Sequence, residues 1–230
     1  MKNLGICLSG SLRSIENCYS NFINNIILPN KDKYNIHLFY YLPLDNNVYK
    51  SNLLKNDYTE IKINKDIELP KIHVIWGGNP VTTIKDNCSK GGINGYLFQL
   101  HGIEQSFKML INFEEKNNIN FDIILRCRHD VIFKNELHLD NYIMDKLYIP
   151  LFHGYDGIND RFAFGPKNLM SHYMYMYTNI YNKKYEQINI GKAEKFCKTN
   201  LDDNDVPFIL IKDILFNRIR MDGTIIKDSF

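Results

Sequence analysis

Polar side chains that suit phosphate chemistry follow a run of β-forming residues in the middle of the chain. The mostly apolar run 121–125 is followed by Arg126, Arg128, His129 and Asp130. Such a run predicts a buried central strand, and the carboxyl end of a central strand is where open α/β sheets bind ligands. Two guanidiniums with one carboxylate at that edge suit a diphosphate, with or without a divalent metal ion.

The same three charged residues also allow a structural interpretation. Side chains alternate along a strand, so Arg126, Arg128 and Asp130 are expected on one face. These three side chains form either a buried salt bridge with a structural role or a ligand site. Because one carboxylate cannot neutralise two buried guanidiniums, we expect a bound anion or a further acidic residue to complete the set.

A second polar cluster, Ser9, Gly10 and Arg13, lies between the first predicted strand and the first predicted helix. Gly10 permits close approach of the backbone, a helix N-terminus favours anions, and Arg13 adds a planar cation. A plain strand–helix turn with a surface arginine is the alternative. The segment is neither a dinucleotide-binding fingerprint nor a P-loop.

A third cluster occupies the polar loop 153–161, which contains Asp156 and Asp160. Either carboxylate can serve as a general base that removes the proton of an attacking hydroxyl. The alternative is a polar turn in which Asp and Asn side chains cap the backbone. Gln99 lies off the apolar stripe of its predicted helix. Its side chain faces either a cleft lined by these polar clusters or solvent.

The elements that must position these clusters alternate between strands and helices. A strand over 4–8, a helix that ends at Pro29 and a strand over 36–42 predict a right-handed βαβ unit. An amphipathic helix from Tyr96 to about Glu115 precedes the central strand. Further strands are predicted over 72–76, 147–150, 161–164 and 217–221, and helices over 166–181 and 192–201. The segment 206–211 is predicted to be a strand or a buried helix. Irregular segments are predicted over 45–69, with a short helix near 48–54, and over 81–94. The pattern predicts one α/β domain over 1–230.

Composition excludes several classes of protein. A formal net charge of +2 is too small to indicate a nucleic-acid partner. The five cysteines contain no CxxC pair, which argues against a disulfide framework or a zinc site and predicts a reducing, intracellular compartment. No apolar run is long enough for a transmembrane segment.

Three sequence blocks together resemble small GT-A-type glycosyltransferases, a family found in bacterial surface-polysaccharide clusters and in large DNA viruses. The blocks are 8–14 (LSGSLRS), 121–130 (FDIILRCRHD) and 158–165 (INDRFAFG), and the resemblance runs from about residue 3 to residue 222. It implies a single Rossmann-like GT-A domain with a mostly parallel central sheet flanked by helices. The nucleotide-binding part would span about 1–135 and the acceptor side about 136–230.

The resemblance also assigns roles to residues. It implies a nucleoside-diphosphate sugar bound with Mn²⁺ or Mg²⁺, and Asp130 matches the last carboxylate of the D-x-D motif that holds this metal. Asp160, or else Asp156, would face the acceptor and act as the base of an inverting enzyme. The implied donor-binding residues are Ser9, Gly10, Arg13, Gln99, Arg126, Arg128 and Asp130. The chain departs from the motif at Arg128, where a full D-x-D has a second carboxylate, and a cation there repels a metal ion and can itself neutralise phosphate.

The sequence therefore predicts a cytoplasmic hexosyltransferase, in the host cytoplasm for a viral protein, that acts on a glycan, lipid-linked or protein acceptor. Homodimerisation is left open. A sugar nucleotidyltransferase is the second hypothesis, although such enzymes have a longer first loop rich in Gly and basic residues. A catalytically silent domain that binds a nucleotide sugar is the third, and Arg128 in place of an acid would be its sign.

Overall fold

The computed structural model describes residues 1–55, 59–64, 73–76, 79–82, 92–182 and 192–227, and for 73–76 and 79–82 it describes the backbone alone. The strands are β1 (Lys2–Ser9), β2 (Tyr34–Pro43), β3 (Thr59–Asn64), β4 (His73–Trp76), β5 (Asn79–Thr82), β6 (Ile123–Cys127), β7 (Val131–Phe133), β8 (Leu147–Pro150), β9 (Phe162–Pro166), β10 (Phe208–Ile211), β11 (Phe216–Ile219) and β12 (Ile225–Ile226). The α-helices are α1 (Ile15–Phe22), α2 (Gly92–Asn117), α3 (Lys167–Met174), α4 (Met176–Tyr181) and α5 (Ala193–Asp202).

A seven-stranded sheet with the order β10-β8-β9-β6-β1-β2-β3 forms the centre of the fold. Strands β1, β2, β3 and β6 run parallel, as do β8 and β10, while β9 is antiparallel to both β6 and β8. The chain moves outward from β1 through β2 to β3 and then returns to place β6 on the other side of β1. This reversal of strand order is a topological switch point, the place where open α/β sheets bind ligands.

Helices cover both faces of the sheet. Alternate residues of β1 divide between the two sides: Cys7 packs with the apolar residues of α2, α3 and α5, whereas Leu4, Ile6 and Leu8 pack with those of α1. A small sheet in the order β12-β11-β7 packs on the α1 side, and β4 pairs with β5 in a separate hairpin. Both faces of the central strands are therefore buried, and this explains their nearly continuous apolar sequence.

Buried acidic side chains tie the helices together. Glu104 of α2 accepts hydrogen bonds from the Thr178 backbone N–H (2.8 Å) and hydroxyl (2.8 Å) in α4, and from Lys108 Nζ (2.6 Å). Glu114, a few turns further along α2, accepts from the Phe121 N–H (2.7 Å) and from Lys167 Nζ (2.8 Å). These carboxylates fix the outer helices and the entry to β6.

The structure confirms the α/β class, the mostly parallel sheet and most of the predicted elements, with several corrections. The segment 45–69 contains the edge strand β3. The segment was predicted to be irregular because it is polar and weakly periodic as a whole, although Ile61 and Ile63 alternate with polar residues within the strand. Among the described strands, β4 pairs with β5 and lies outside the seven-stranded sheet. The predicted helix 166–181 is two helices separated at Tyr175, and 206–211 contains a strand.

Other predictions concern side chains and loops. Cys7, Cys18, Cys127 and Cys197 are buried and free. Cys88 and most of the predicted loop 81–94 lie outside the described residues. Within the described part of the chain, no helix combines the length and apolar character needed to cross a bilayer.

Candidate functional site

The first two polar clusters meet because β1 and β6 are paired in register. Cys7 lies opposite Arg126 and Leu8 lies opposite Cys127, so both strands end at the same edge of the sheet. The residues after β1 and those after β6 therefore face each other across the switch point. This edge is the candidate site.

The turn after β1 depends on a glycine and a buried histidine. Gly10 has a φ of +115°, a conformation that side chains disfavour, and its N–H donates to the Tyr41 carbonyl (3.2 Å). His129 Nε2 donates to the Ser11 carbonyl over 2.6 Å. Burial lowers the pKa of His129, so the ring is neutral at neutral pH. A neutral histidine thus fixes the turn to the end of β6 without adding charge.

Arg128 and Asp130 form a two-point ion pair just beyond β6. Arg128 Nε donates to Asp130 Oδ1 (2.7 Å) and Nη2 donates to Oδ2 (2.5 Å). Burial raises the pKa of Asp130, but the charge and hydrogen bonds of Arg128 outweigh burial and hold that pKa well below its usual range. Arg13, exposed at the start of α1, adds a smaller effect in the same direction. The salt-bridged alternative from the sequence is thus present, and it leaves Arg13 as an additional positive charge.

Gln99 connects this ion pair to the third cluster. Its Oε1 accepts from Arg128 Nη1 at 3.5 Å, and its Nε2 donates to Asp160 Oδ2 at 2.8 Å. Gln99 is half-buried on α2, between the two charged groups. A chain of hydrogen bonds therefore runs from Asp130 through Arg128 and Gln99 to Asp160.

Asp160 is a buried carboxylate that uses only part of its hydrogen-bonding capacity. Its side chain is 7% exposed, and among the described residues its Oδ1 has no hydrogen-bond partner. Among the described residues, the cationic atom that contacts this oxygen is Arg161 Nε at 3.8 Å, beyond hydrogen-bond distance. One oxygen of a buried carboxylate is therefore left without a hydrogen-bond donor from the described part of the chain.

The loop that carries Asp160 is held from several sides. Asn159 donates to the Phe152 carbonyl (2.9 Å) and accepts from the Arg161 N–H (2.9 Å). Gly157 packs directly on α5, where a Cβ would lie 2.0 Å from the Glu194 carbonyl oxygen, so only glycine fits. Ile158 N–H donates to that same carbonyl over 3.0 Å.

Arg126 lies deeper than the sequence suggested. It is 2% exposed, and its Nη1 donates to the Arg161 carbonyl. This position supports the loop that bears Asp160 instead of placing the guanidinium in the cleft. The strand ends at Cys127, so Arg128 and Asp130 lie beyond it and strand alternation does not set the direction of their side chains.

Asp156, the other candidate base, lies apart from this network. Its side chain is 81% exposed, its φ is +69°, and its described contact is an ion pair with Lys192 at 3.4 Å. Among the described residues, the structure brings Asp160 and not Asp156 into contact with Gln99. The spacing of the two acids in one loop could not distinguish them.

Glu194 is a member of the site that the sequence did not indicate. It lies 3.2 Å from Arg161 Nη2, and burial, followed by the charge of Asp160, raises its pKa. Arg126 and Arg161 with Asp160 and Glu194 form a charge-balanced set beneath the cleft. The one available sequence signal was an acidic residue in the first turn of a predicted helix, and this is common.

The described side chains do not fit a divalent metal ion well. Mn²⁺ and Mg²⁺ take several oxygen ligands, whereas Asp130 is one carboxylate with both oxygens bound to Arg128. Within the described part of the chain, no group of three His, Cys, Asp or Glu side chains could hold a metal ion. The metal at Asp130 remains a prediction from the resemblance.

Comparison with known proteins identifies a family without assigning an activity. The family model described as "Domain of unknown function (DUF7796)" matches residues 1–216. The chain belongs to this family. The match spans every strand of the seven-stranded sheet and every candidate site residue. No curated protein matches the sequence.

Proposed function

We propose that the chain is a glycosyltransferase that moves a hexose from a nucleoside-diphosphate sugar to a hydroxyl of a glycan, lipid-linked or protein acceptor. One observation carries this proposal. The Arg128 guanidinium at the switch point is connected, through Gln99, to the buried carboxylate of Asp160, one oxygen of which has no hydrogen-bond partner among the described residues. The first feature suits an anionic leaving group and the second suits a base for an attacking hydroxyl.

The donor diphosphate lies between the ends of β1 and β6. The turn at Gly10 exposes backbone close to the phosphates, and Arg13 and Arg128 supply cations. The charge of the ion-pair cluster itself supports an anionic ligand, since Arg13 and Arg128 are two cations beside the one carboxylate of Asp130. The reversal of strand order between β1 and β6 supports a nucleotide at this place and agrees with a Rossmann-like GT-A domain.

The acceptor approaches from the side of Asp160. In an inverting transfer the acceptor oxygen bonds to the anomeric carbon while the bond from that carbon to the diphosphate oxygen breaks. The electron pair of the broken bond stays on the diphosphate, and the proton of the acceptor hydroxyl passes to Asp160 Oδ1. Gln99 holds the other oxygen of Asp160, so Oδ1 is the oxygen left to take the proton.

A panel of UDP, GDP, ADP, TDP and CDP sugars, incubated with the full chain and separately with Asp160→Asn, tests the proposal. We expect one donor to raise the melting temperature and to be hydrolysed slowly without acceptor. Asp160→Asn should keep the thermal shift and lose the hydrolysis. Turnover that requires pyrophosphate would establish a nucleotidyltransferase instead. A shift without turnover by either route would indicate a silent binding domain, and full activity of Asp160→Asn would refute the base assignment.

A further inference from the structure

Arg128 occupies the position at which the D-x-D motif of the glycosyltransferases that this chain resembles has an acid. Its contacts therefore indicate how the negative charge of the donor diphosphate is neutralised. Its Nε and Nη2 hold both oxygens of Asp130, and its Nη1 makes a long contact with Gln99. A metal ion at Asp130 would have to displace this two-point ion pair and then lie beside a guanidinium. Like charges at such short distance oppose binding.

The sign of the local charge points the same way. Sites for hard cations gather carboxylates so that the protein is locally negative. The ion-pair cluster at the cleft edge has the opposite sign, since Arg13 and Arg128 are two cations beside the one carboxylate of Asp130. The deeper residues do not alter this balance, because Arg126 and Arg161 are matched by Asp160 and Glu194. The site is electrostatically built for an anion.

Arg128 also retains capacity for a ligand. A guanidinium has five N–H donors, and three of those of Arg128 are directed at Asp130 and Gln99. Its side chain is 24% exposed, compared with 14% for Asp130, so the guanidinium reaches the cleft more readily than the acid. Asp130 thus orients the Arg128 guanidinium, whose remaining N–H donors can bind phosphate oxygens.

We propose that this protein binds its donor diphosphate without a divalent metal ion, and that Arg128 supplies the positive charge that a metal supplies to D-x-D enzymes. The inference rests on the proposed function. As the bond from the anomeric carbon to the diphosphate oxygen breaks, the electron pair remains on that oxygen, and Arg128 neutralises the developing charge. The acceptor proton goes to Asp160. No external reagent is needed beyond donor and acceptor.

Calorimetric titration of the full chain with UDP, GDP, ADP, TDP and CDP, in EDTA and then in Mn²⁺, tests the proposal. We expect one diphosphate to bind in EDTA, with a Kd that Mn²⁺ changes by less than about threefold, well under the tenfold that 1.4 kcal/mol represents. Arg128→Gln should weaken binding by at least about thirtyfold in both buffers, since it removes a desolvated charge. Arg128→Asp should bind in Mn²⁺ and fail in EDTA, because it restores the two acids of a metal site.

Lys31→Asp is the matched control, because it makes the same change in net charge at an exposed residue just before β2, at the opposite end of the strands. It should bind as the wild-type chain does. If Arg128→Asp lacks a cooperative unfolding transition, Arg128→Gln alone decides the question. Wild-type binding that requires Mn²⁺, or unchanged binding by Arg128→Gln in EDTA, would overturn the inference while leaving the transferase proposal intact. Failure of all five diphosphates and their sugars in both buffers would reject the proposed function itself.

Discussion

Two carboxylates in contact with α2 are almost equally buried and yet differ in how fully they are bonded. The side chain of Glu104 is 1% exposed, and its two oxygens accept three hydrogen bonds from Lys108 and Thr178. The side chain of Asp160 is 7% exposed, and among the described residues one of its oxygens accepts none. A buried acid that is fully bonded stabilises the fold, whereas one left partly unbonded is available for chemistry.

The cations near the two acids differ in the same way. The cation beside Glu104, Lys108, bonds it directly over 2.6 Å. Around Asp160, Arg161 Nη1 and Arg126 Nε also lack hydrogen-bond partners within the described part of the chain. Unused donors and acceptors therefore concentrate at the end of β6 and in the loop before β9. Buried polar groups without partners are rare in stable proteins, and their concentration here supports a binding site.

The largest expected effect separates the two acids by activity. Asp160→Asn should reduce the rate of sugar transfer by roughly 10²–10⁴-fold, the usual contribution of a general base. Its free energy of unfolding should also fall, by about 1–3 kcal/mol, because Glu194 alone then faces the buried guanidiniums of Arg126 and Arg161. Product formation and urea unfolding measure the two quantities. A wild-type rate of transfer by this variant would show that Asp160, like Glu104, has no catalytic role.

Glu104→Gln should affect stability alone. It replaces charge-assisted bonds to α4 with neutral ones, so the free energy of unfolding should fall by about 2 kcal/mol. Donor affinity should not change, because α4 holds none of the proposed binding residues. Urea unfolding and calorimetry test this, with Glu115→Gln, an exposed neighbour on α2, as the control. A loss of donor binding without a loss of stability would contradict the structural role.

Gln99→Met tests whether the connection between the clusters positions Asp160. Methionine matches the length of glutamine and cannot donate to the carboxylate. We expect kcat to fall about tenfold, equivalent to the loss of one hydrogen bond to a charged group, with the donor KM nearly constant. Gln105→Met, elsewhere on α2, is the control. An increase in donor KM at unchanged kcat would place Gln99 in donor binding alone.

The smallest expected effect is in the pH dependence of stability. The lowered pKa of Asp130 means that its stabilisation is present above the ordinary value of 3.8 and is lost as pH falls below it. Glu194 acts in the opposite direction, because its raised pKa favours the folded state on acidification. Urea unfolding between about pH 5 and pH 3 should therefore show a shallower loss for Asp130→Asn and a steeper one for Glu194→Gln than for the wild-type chain. If the free energy of unfolding depended on pH in the same way in all three proteins, the pKa shifts of both Asp130 and Glu194 would be contradicted.

The elements most accurately predicted from sequence were those with strong local patterns. The apolar runs of β1 and β6 and the periodic face of α2 are determined by neighbours in the sequence, as is the polar turn at Gly10. Edge strand β3 was missed because an exposed strand need not be apolar. The break at Tyr175 was missed because Tyr173 and Tyr177, four residues apart, continue one helical face across it.

The sequence by itself determined that three polar clusters lie at strand ends, because hydrophobic periodicity marks where strands stop. It also determined that Arg128 stands where a metal-binding acid was expected. Only the tertiary structure decided how these clusters are joined. Register between β1 and β6 places Gly10 near His129, and the packing of α2 brings Gln99 between Arg128 and Asp160. The position of α5 adds Glu194. These contacts join residues far apart in the chain, so they depend on crossovers and packing that no local pattern encodes.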